Sequence, residues 1–171
     1  MTPVIISSLK NIKTISLSEN SALFLTNEGQ VYGCGDNSKY QLGRDLAQNI
    51  AEPFLLVFGN NEVVSKMYLG NHNNDRFYGF VVTEKGSVYS WGTQGKRLLG
   101  FENNTVIKQP HKLLSYKNFG KITNIGFSDN NNTDYGFSNS RIYGWGMNYN
   151  NLLDNQKTYN TIITPQEMVL K

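Results

Sequence analysis

Apolar and polar residues alternate with a period of two in short runs along this chain. The clearest runs place apolar side chains two residues apart: Leu23 and Leu25, Phe80 and Val82, and Tyr135 and Phe137. Residues at this spacing point to the same side of a β-strand. Each run therefore predicts a short strand with one apolar face.

A second strand follows each run closely, and each pair predicts a β-hairpin. The first two connections, residues 27–29 and 84–86, are three residues long and end in Gly29 and Gly86. Glycine there supplies the positive φ of a common bulged hairpin. The third connection, NS before Arg141, is one residue shorter and lacks glycine, which predicts a tighter turn.

The second strands of the three hairpins share one sequence pattern. It reads VYGCG at 31–35, VYSWG at 88–92 and IYGWG at 142–146, and its tyrosines are 57 and then 54 residues apart. Other marks keep the same register, namely Leu42, Leu99 and Leu153, then Pro53, Pro110 and Pro165, with Pro3 lying 50 residues before Pro53. A repeat of this length predicts an array, a solenoid or a propeller.

Each repeat carries apolar residues for two further strands, one before the hairpin and one after the proline. Four short antiparallel strands in about 55 residues make a propeller blade. The predicted fold class is therefore all-β, a partial β-propeller of about three blades with four antiparallel strands each. Aromatic residues on one face of the second hairpin strand, with Gly or Ser on the other, predict closely stacked sheets.

The repeat predicts one domain over residues 1–171, with repeats at about 3–52, 53–109 and 110–164. Residues 165–171 are interpreted either as the start of a fourth repeat or as a closing strand.

The first repeat, ALFLTNEGQVYGCGDNSKYQLG, resembles the repeat of the regulator of chromosome condensation family. It departs from that pattern at Cys34, where the family prefers Trp, and at Tyr40, where it prefers Gly. The resemblance covers nearly the whole chain and fades toward its C-terminal end. The structural signature positions are Gly29, Tyr32, Gly35, Gly43, Gly86, Tyr89, Trp91, Gly92, Gly100, Tyr143, Trp145 and Gly146.

The resemblance implies a seven-bladed ring, which three repeats cannot close. An unclosed propeller exposes sheet edges that are templates for pairing. Three explanations stay open: the chain is part of a longer protein, it completes its ring by self-association, or another subunit covers the edges.

Loops on the two faces of a propeller are where binding residues are expected. The segments that vary most between repeats are residues 69–77 and 127–135. The candidate partner-contact residues are His72, Asn73, Asp75, Arg76, Asp129 and Asp134, together with the basic pair Lys96 and Arg97. Ordinary loop variation in a degenerate repeat is the alternative interpretation.

No catalytic, cofactor or metal site is predicted. His72 and His111 lie far apart in sequence and without neighbouring cysteines, which disfavours a metal site. Cys34 stands at a structural Trp position, which favours a buried filler over a nucleophile. The glycine-rich stretches lack Gly-Lys-Ser/Thr, so they are not phosphate loops, and Asp129 and Asp134 match no standard calcium loop.

Composition excludes several classes of partner. The net charge is +3 without a run of lysines or arginines, so nucleic acid is an improbable partner. No apolar stretch approaches 18 residues, so no membrane span is expected. The single cysteine, Cys34, excludes an internal disulfide and favours an intracellular, reducing compartment.

The sequence therefore predicts a non-enzymatic scaffold for protein–protein interaction and a subunit of a larger assembly. The alternative comes from the resemblance: the founding member of the family promotes nucleotide exchange on the Ran GTPase while docking on chromatin. The expected partners are other proteins or a second copy, with a small GTPase as the alternative. A small hydrolase or lyase has no residue support.

Overall fold

A computed structural model of the chain describes residues 8–72, 76–93, 99–101, 106–128, 133–148, 153 and 161–168. Within these ranges the chain forms strands and one short helix. In chain order these are β1 (Ile12–Ser18), β2 (Ser21–Thr26), β3 (Val31–Gly35), β4 (Ile50–Leu56), β5 (Val64–His72), β6 (Arg76–Thr83), β7 (Val88–Thr93), β8 (Val106–Leu114), α1 (Tyr116–Phe119), β9 (Ile122–Ser128), β10 (Thr133–Ser138), β11 (Ile142–Met147) and β12 (Thr161–Met168).

The strands form three antiparallel sheets of four strands each, one after another along the chain. The first sheet holds β1 to β4, the second β5 to β8 and the third β9 to β12, each ordered as in the sequence. The all-β class and the three four-stranded blades predicted from the repeat are confirmed.

The fourth strand of each sheet begins earlier than the sequence suggested. Pro53, Pro110 and Pro165 lie inside β4, β8 and β12 rather than just ahead of them. Proline cannot donate to a hydrogen-bond ladder, and these strands are outermost in their sheets, where one missing donor is tolerated. Residues 166–168 pair with β11 and begin no further sheet among the described residues.

The two faces of each sheet have different characters. We call the face that carries Tyr32, Tyr89 or Tyr143 the leading face. The opposite face, which carries Gly33, Ser90 or Gly144, is the trailing face. The leading face of the second sheet packs on the trailing face of the first, and the third sheet packs on the second in the same way.

Large side chains fill both of these sheet-to-sheet interfaces. Trp91 is fully buried, and its Nε1–H donates a 2.8 Å hydrogen bond to the carbonyl oxygen of Gln41 in the preceding blade. In the next interface Phe80 faces Trp145, with ring centroids 6.5 Å apart. Short side chains permit this approach, because a Cβ atom on Gly79 would lie 2.2 Å from the Trp91 ring.

The first two hairpin turns also touch the first strand of the next sheet. The amide of Val64 donates to the carbonyl oxygen of Gly29 at 2.9 Å, and the amide of Ile122 donates to that of Gly86 at 3.2 Å. Gly29 and Gly86 have φ values of 78° and 89°. A Cβ atom on Gly86 would lie 2.6 Å from the nitrogen of Ile122. The hairpin glycine is therefore required both by its own φ and by the next sheet.

The change Gly86→Ala separates these two requirements when it is compared with Gly120→Ala. Gly120 has a φ of 73°, but a Cβ atom added to it would meet no other atom within 4 Å, so Gly120→Ala should cost about 1 kcal/mol of unfolding free energy from backbone strain alone. Gly86→Ala adds the clash with Ile122 and should cost about 2–4 kcal/mol. Urea denaturation measures both. Equal losses would show that the turn does not need close contact with the third sheet.

Candidate interaction surface

The leading face of the first sheet is an apolar surface with no sheet packed on it among the described residues. Ile15, Phe24, Tyr32 and Leu55 form one row across its four strands. Leu17 begins the neighbouring row. The exposed fractions of Ile15, Leu17 and Leu55 are 53%, 70% and 45%. Phe24, within the same row, is only 8% exposed, so the exposed apolar side chains lie around a buried ring. Exposed apolar side chains that cluster in this way are typical of a protein-binding surface.

The matching positions of the second sheet are buried. Met67, Val81 and Tyr89 form the row that corresponds to Ile15, Phe24 and Tyr32. Met67 is 7% exposed, and Leu69, the counterpart of Leu17, is 8% exposed. Phe24 and Val81 are both buried, so the difference lies at Ile15 and Leu17. The residue types are similar at these positions, and the first sheet covers Met67 and Leu69 on this face of the second sheet.

The trailing face of the third sheet shows the complementary difference. Tyr135, Phe137 and Ile142 are only partly buried. Their counterparts in the second sheet are almost completely buried: Phe80, Val82 and Val88. The stack of three sheets therefore has two apolar end faces of opposite kinds, one leading and one trailing.

Cys34 lies on the leading face of the first sheet, at the position that Trp91 occupies in the second. It is partly buried. Burial, assisted by the negative charge of Glu52, raises the pKa of the Cys34 thiol. A raised pKa keeps the thiol protonated at neutral pH, which disfavours a role as a nucleophile.

Glu62 organises a polar cluster where the first and second sheets meet. Its carboxylate accepts hydrogen bonds from Lys112 Nζ at 2.6 Å, Thr83 Oγ1 at 2.9 Å and Tyr89 Oη at 3.0 Å. Burial opposes ionisation, but these hydrogen bonds and the charge of Lys112 outweigh it and lower the pKa of Glu62. Glu62 is therefore ionised at neutral pH and stabilises the contact between the two sheets.

The structure describes only some of the candidate contact residues. Asn73, Asp75, Lys96, Arg97 and Asp129 lie outside the described residues. The backbones of His72 and Arg76 pair where β5 and β6 meet, while their side chains lie outside the described part of the structure.

Asp134 does not lie on an exposed loop, as the sequence suggested. It belongs to β10, is 4% exposed, and pairs with Phe127 and Trp145. That register places it on the leading face of the third sheet, against the second sheet. Its burial there disfavours contact between its side chain and an external protein.

The residues of the first leading face were not predicted as a site from the sequence. Their alternation with polar residues is the same as in the buried copies.

Two other features are absent from the described ranges, a membrane-spanning helix and a cluster of metal ligands. No helix there is long and apolar enough to cross a membrane. No group of three or more His, Cys, Asp or Glu side chains is placed there to hold a metal ion.

Sequence profiles identify the repeat. The profile described as the regulator of chromosome condensation (RCC1) repeat matches residues 12–41, and a second profile of the same description matches residues 28–73. Residues 12–73 therefore carry repeats of the regulator of chromosome condensation type. The signature residues of the first repeat and the blade architecture agree with this assignment.

Relatives in this repeat family are much longer proteins. The chain is 26% identical over 150 residues to human E3 ubiquitin-protein ligase HERC2. The aligned region covers 85% of this chain and 3% of HERC2. It is 27% identical over 158 residues to human probable E3 ubiquitin-protein ligase HERC6. That aligned region covers 92% of this chain and 15% of HERC6. The chain thus spans a small part of either relative.

Two solved structures share the fold. Yeast RCC1 (Prp20), solved bound to Kap60, superimposes with a TM-score of 0.72 at 19% identity, over 95% of this chain and 38% of that one. Human WBSCR16 superimposes with a TM-score of 0.69 at 20% identity, over 91% and 37% of the two chains. These similarities show a shared propeller architecture.

Truncating the two matched leucines should show which face is covered. Leu69→Ala removes a buried side chain from a sheet-to-sheet interface and should cost about 2–4 kcal/mol of unfolding free energy. Leu17→Ala alters an exposed position and should change that free energy by about 0.5 kcal/mol or less in dilute solution. Urea denaturation at low protein concentration measures both values. A large loss for Leu17→Ala under those conditions would show that the first face is covered within the chain itself.

The Glu62 cluster should make stability depend on pH. Because the pKa of folded Glu62 lies below the ordinary glutamate value of 4.5, its stabilising effect is complete above that value and is lost as the pH falls through the folded pKa. Wild type should therefore be more stable than Glu62→Gln at about pH 7, and the difference should shrink toward about pH 3.5.

The matched control for Glu62→Gln is Glu167→Gln. Glu167 pairs with Arg141 at 3.1 Å in an exposed position, where an ion pair contributes little. Urea titrations at several pH values compare both variants with wild type. A pH-independent difference for Glu62→Gln would contradict the ionised cluster.

Proposed function

We propose that this chain is a non-enzymatic, protein-binding propeller segment that acts as a subunit of a larger assembly. The observation that carries the proposal is the pair of apolar end faces. Ile15 and Leu17 are exposed although their counterparts in the second sheet are buried. A surface built in the same way as an internal interface is suited to protein contact.

The chemistry of the first leading face favours protein over other ligands. Its central row is Ile15, Phe24, Tyr32 and Leu55, with aliphatic and aromatic side chains in place of cations. Nucleic-acid affinity depends on Lys and Arg contacts to phosphates, whereas the cores of protein interfaces are apolar and rich in aromatic residues. The proposed partners are proteins, without a cofactor, in an intracellular and reducing compartment.

The similar solved structures add support of a general kind. Yeast RCC1 (Prp20) was solved bound to Kap60, and a second Prp20p structure is described together with its binding properties to Gsp1p and histones. Kap60, Gsp1p and histones are named for the yeast protein alone. They support protein binding by this architecture and name no partner of the present chain.

Nucleotide exchange on a Ran-type small GTPase is the second candidate. The repeats at residues 12–73 favour it, and the short span works against it, because the chain covers 38% of yeast RCC1. The candidate contact residues outside the described ranges, including Asp75 and Asp129, stay as proposed contacts for either function.

A photoreactive amino acid at position 17 tests the protein-binding proposal. We expect p-benzoylphenylalanine in place of Leu17 to form adducts with protein in cells that express the chain, because this position lies on the apolar face. The same residue in place of Lys85, in the exposed turn of the central sheet, is the matched control and should give few adducts. Mass spectrometry of the adducts identifies the partner.

Two results would count against the proposal. Equal labelling from positions 17 and 85 would mean that the face has no preferred partner. Release of labelled GDP from a Ran-type GTPase on addition of the purified chain, retained in Leu17→Asp, would favour nucleotide exchange through another surface.

A further inference from the structure

We propose that the partner of the first leading face is the trailing face of the third sheet in a second copy of this chain. The inference rests on the protein-binding function proposed above and names the surfaces that carry it. The contact is head-to-tail: one end of the stack in one copy meets the opposite end in the next.

The chain itself contains two examples of the proposed interface. The second sheet puts its leading face on the trailing face of the first, and the third sheet does the same with the second. Within the described residues no leading face packs on another leading face. The two end faces are therefore of the complementary kinds that the chain already uses.

Single contacts within the chain predict which residues would meet. The amide of Leu69, on the second leading face, donates a 2.9 Å hydrogen bond to Ser16 Oγ on the first trailing face. At the corresponding place in the next interface, the Phe127 ring contacts the Tyr68 ring with centroids 5.2 Å apart. The same pair of positions is thus in contact at both interfaces.

Carried one step further, this register pairs Leu17 of one copy with Gly126 of another. Leu17 corresponds to Leu69 and Phe127, and Gly126 corresponds to Ser16 and Tyr68. Gly126 lies in the same row as Tyr135, a partly buried aromatic residue. A Cβ atom on Gly126 would lie 3.2 Å from the Phe137 ring. The rings of Phe137 and Tyr135 therefore offer the leucine an apolar wall beside the glycine.

The proposal has a consequence for assembly. Because each copy carries one face of each kind, association is heterologous and yields a closed ring or an open chain of copies. The mass of the purified chain should therefore rise with its concentration.

Complementation between two variants distinguishes this arrangement from others. Leu17→Asp places a charge on the first leading face and leaves the third trailing face intact. Tyr135→Asp does the reverse. Each variant alone should sediment as a single chain, because every contact needs one face of each kind. An equimolar mixture should give a species of two chains and nothing larger, since only one intact pair of faces remains.

A thiol crosslink gives a second measurement that does not depend on Tyr135→Asp folding. In a Cys34→Ser background, Leu17→Cys and Gly126→Cys chains are mixed and treated with a short bismaleimide. We expect a covalent dimer from the mixture and little from either chain alone. Lys85→Cys mixed with Gly126→Cys is the control and should stay uncrosslinked.

Several outcomes would overturn the inference. Wild type that stays a single chain at all concentrations, without the 17–126 crosslink, excludes self-association. Tyr135→Asp that assembles like wild type while Leu17→Asp does not would indicate two leading faces packed together. If position 17 labels a different protein while self-association is absent, the protein-binding function stands and the second copy is excluded.

Discussion

Burial of apolar surface between neighbouring sheets is the constraint on which this structure depends. A sheet of four short strands has two faces, and here both are apolar, so each needs a further sheet against it. The Trp91 side chain shows how close the contact is, because it reaches the preceding blade and donates to the Gln41 carbonyl oxygen at 2.8 Å. Gly79 lies beneath its ring, and any larger residue would collide with it. Stability, turn chemistry and the spacing of the repeat all follow from this stacking.

The same constraint connects the fold to its proposed function. Among the described residues, the stack has one face at each end against which no sheet packs, and the hydrophobic effect favours covering such faces. In the first sheet Leu17 is 70% exposed, whereas the matched Leu69 is 8% exposed. Binding at such a surface requires no catalytic group, only a partner with a complementary apolar face. An apolar face against which no sheet packs is therefore a candidate binding site.

Polar side chains stabilise the contact between neighbouring sheets. Glu62 accepts three hydrogen bonds from side chains of the second sheet while it belongs to the segment that follows the first. Its ionised carboxylate links the two sheets, and Lys112 balances the charge at 2.6 Å. The sequence offered no sign of this cluster, because its members are separated by 21 to 50 residues and meet only when the sheets stack.

Local pattern was enough to predict the hairpins, the four strands of each blade and the number of blades. Alternation between Leu23 and Leu25, the turn glycines Gly29 and Gly86, and the repeated tyrosine pattern are short-range features that the backbone must obey wherever the sheet lies. The starts of the fourth strands were not predicted correctly. The sequence suggested that each strand follows its proline, but an outer strand can contain a proline such as Pro53 or Pro110 in its interior. Asp134 was misplaced because its burial depends on the sheet packed against it. Sequence by itself thus determined the elements and their repetition, whereas tertiary structure decided which of two equivalent apolar faces is covered, because burial depends on the neighbouring sheet and not on the residue.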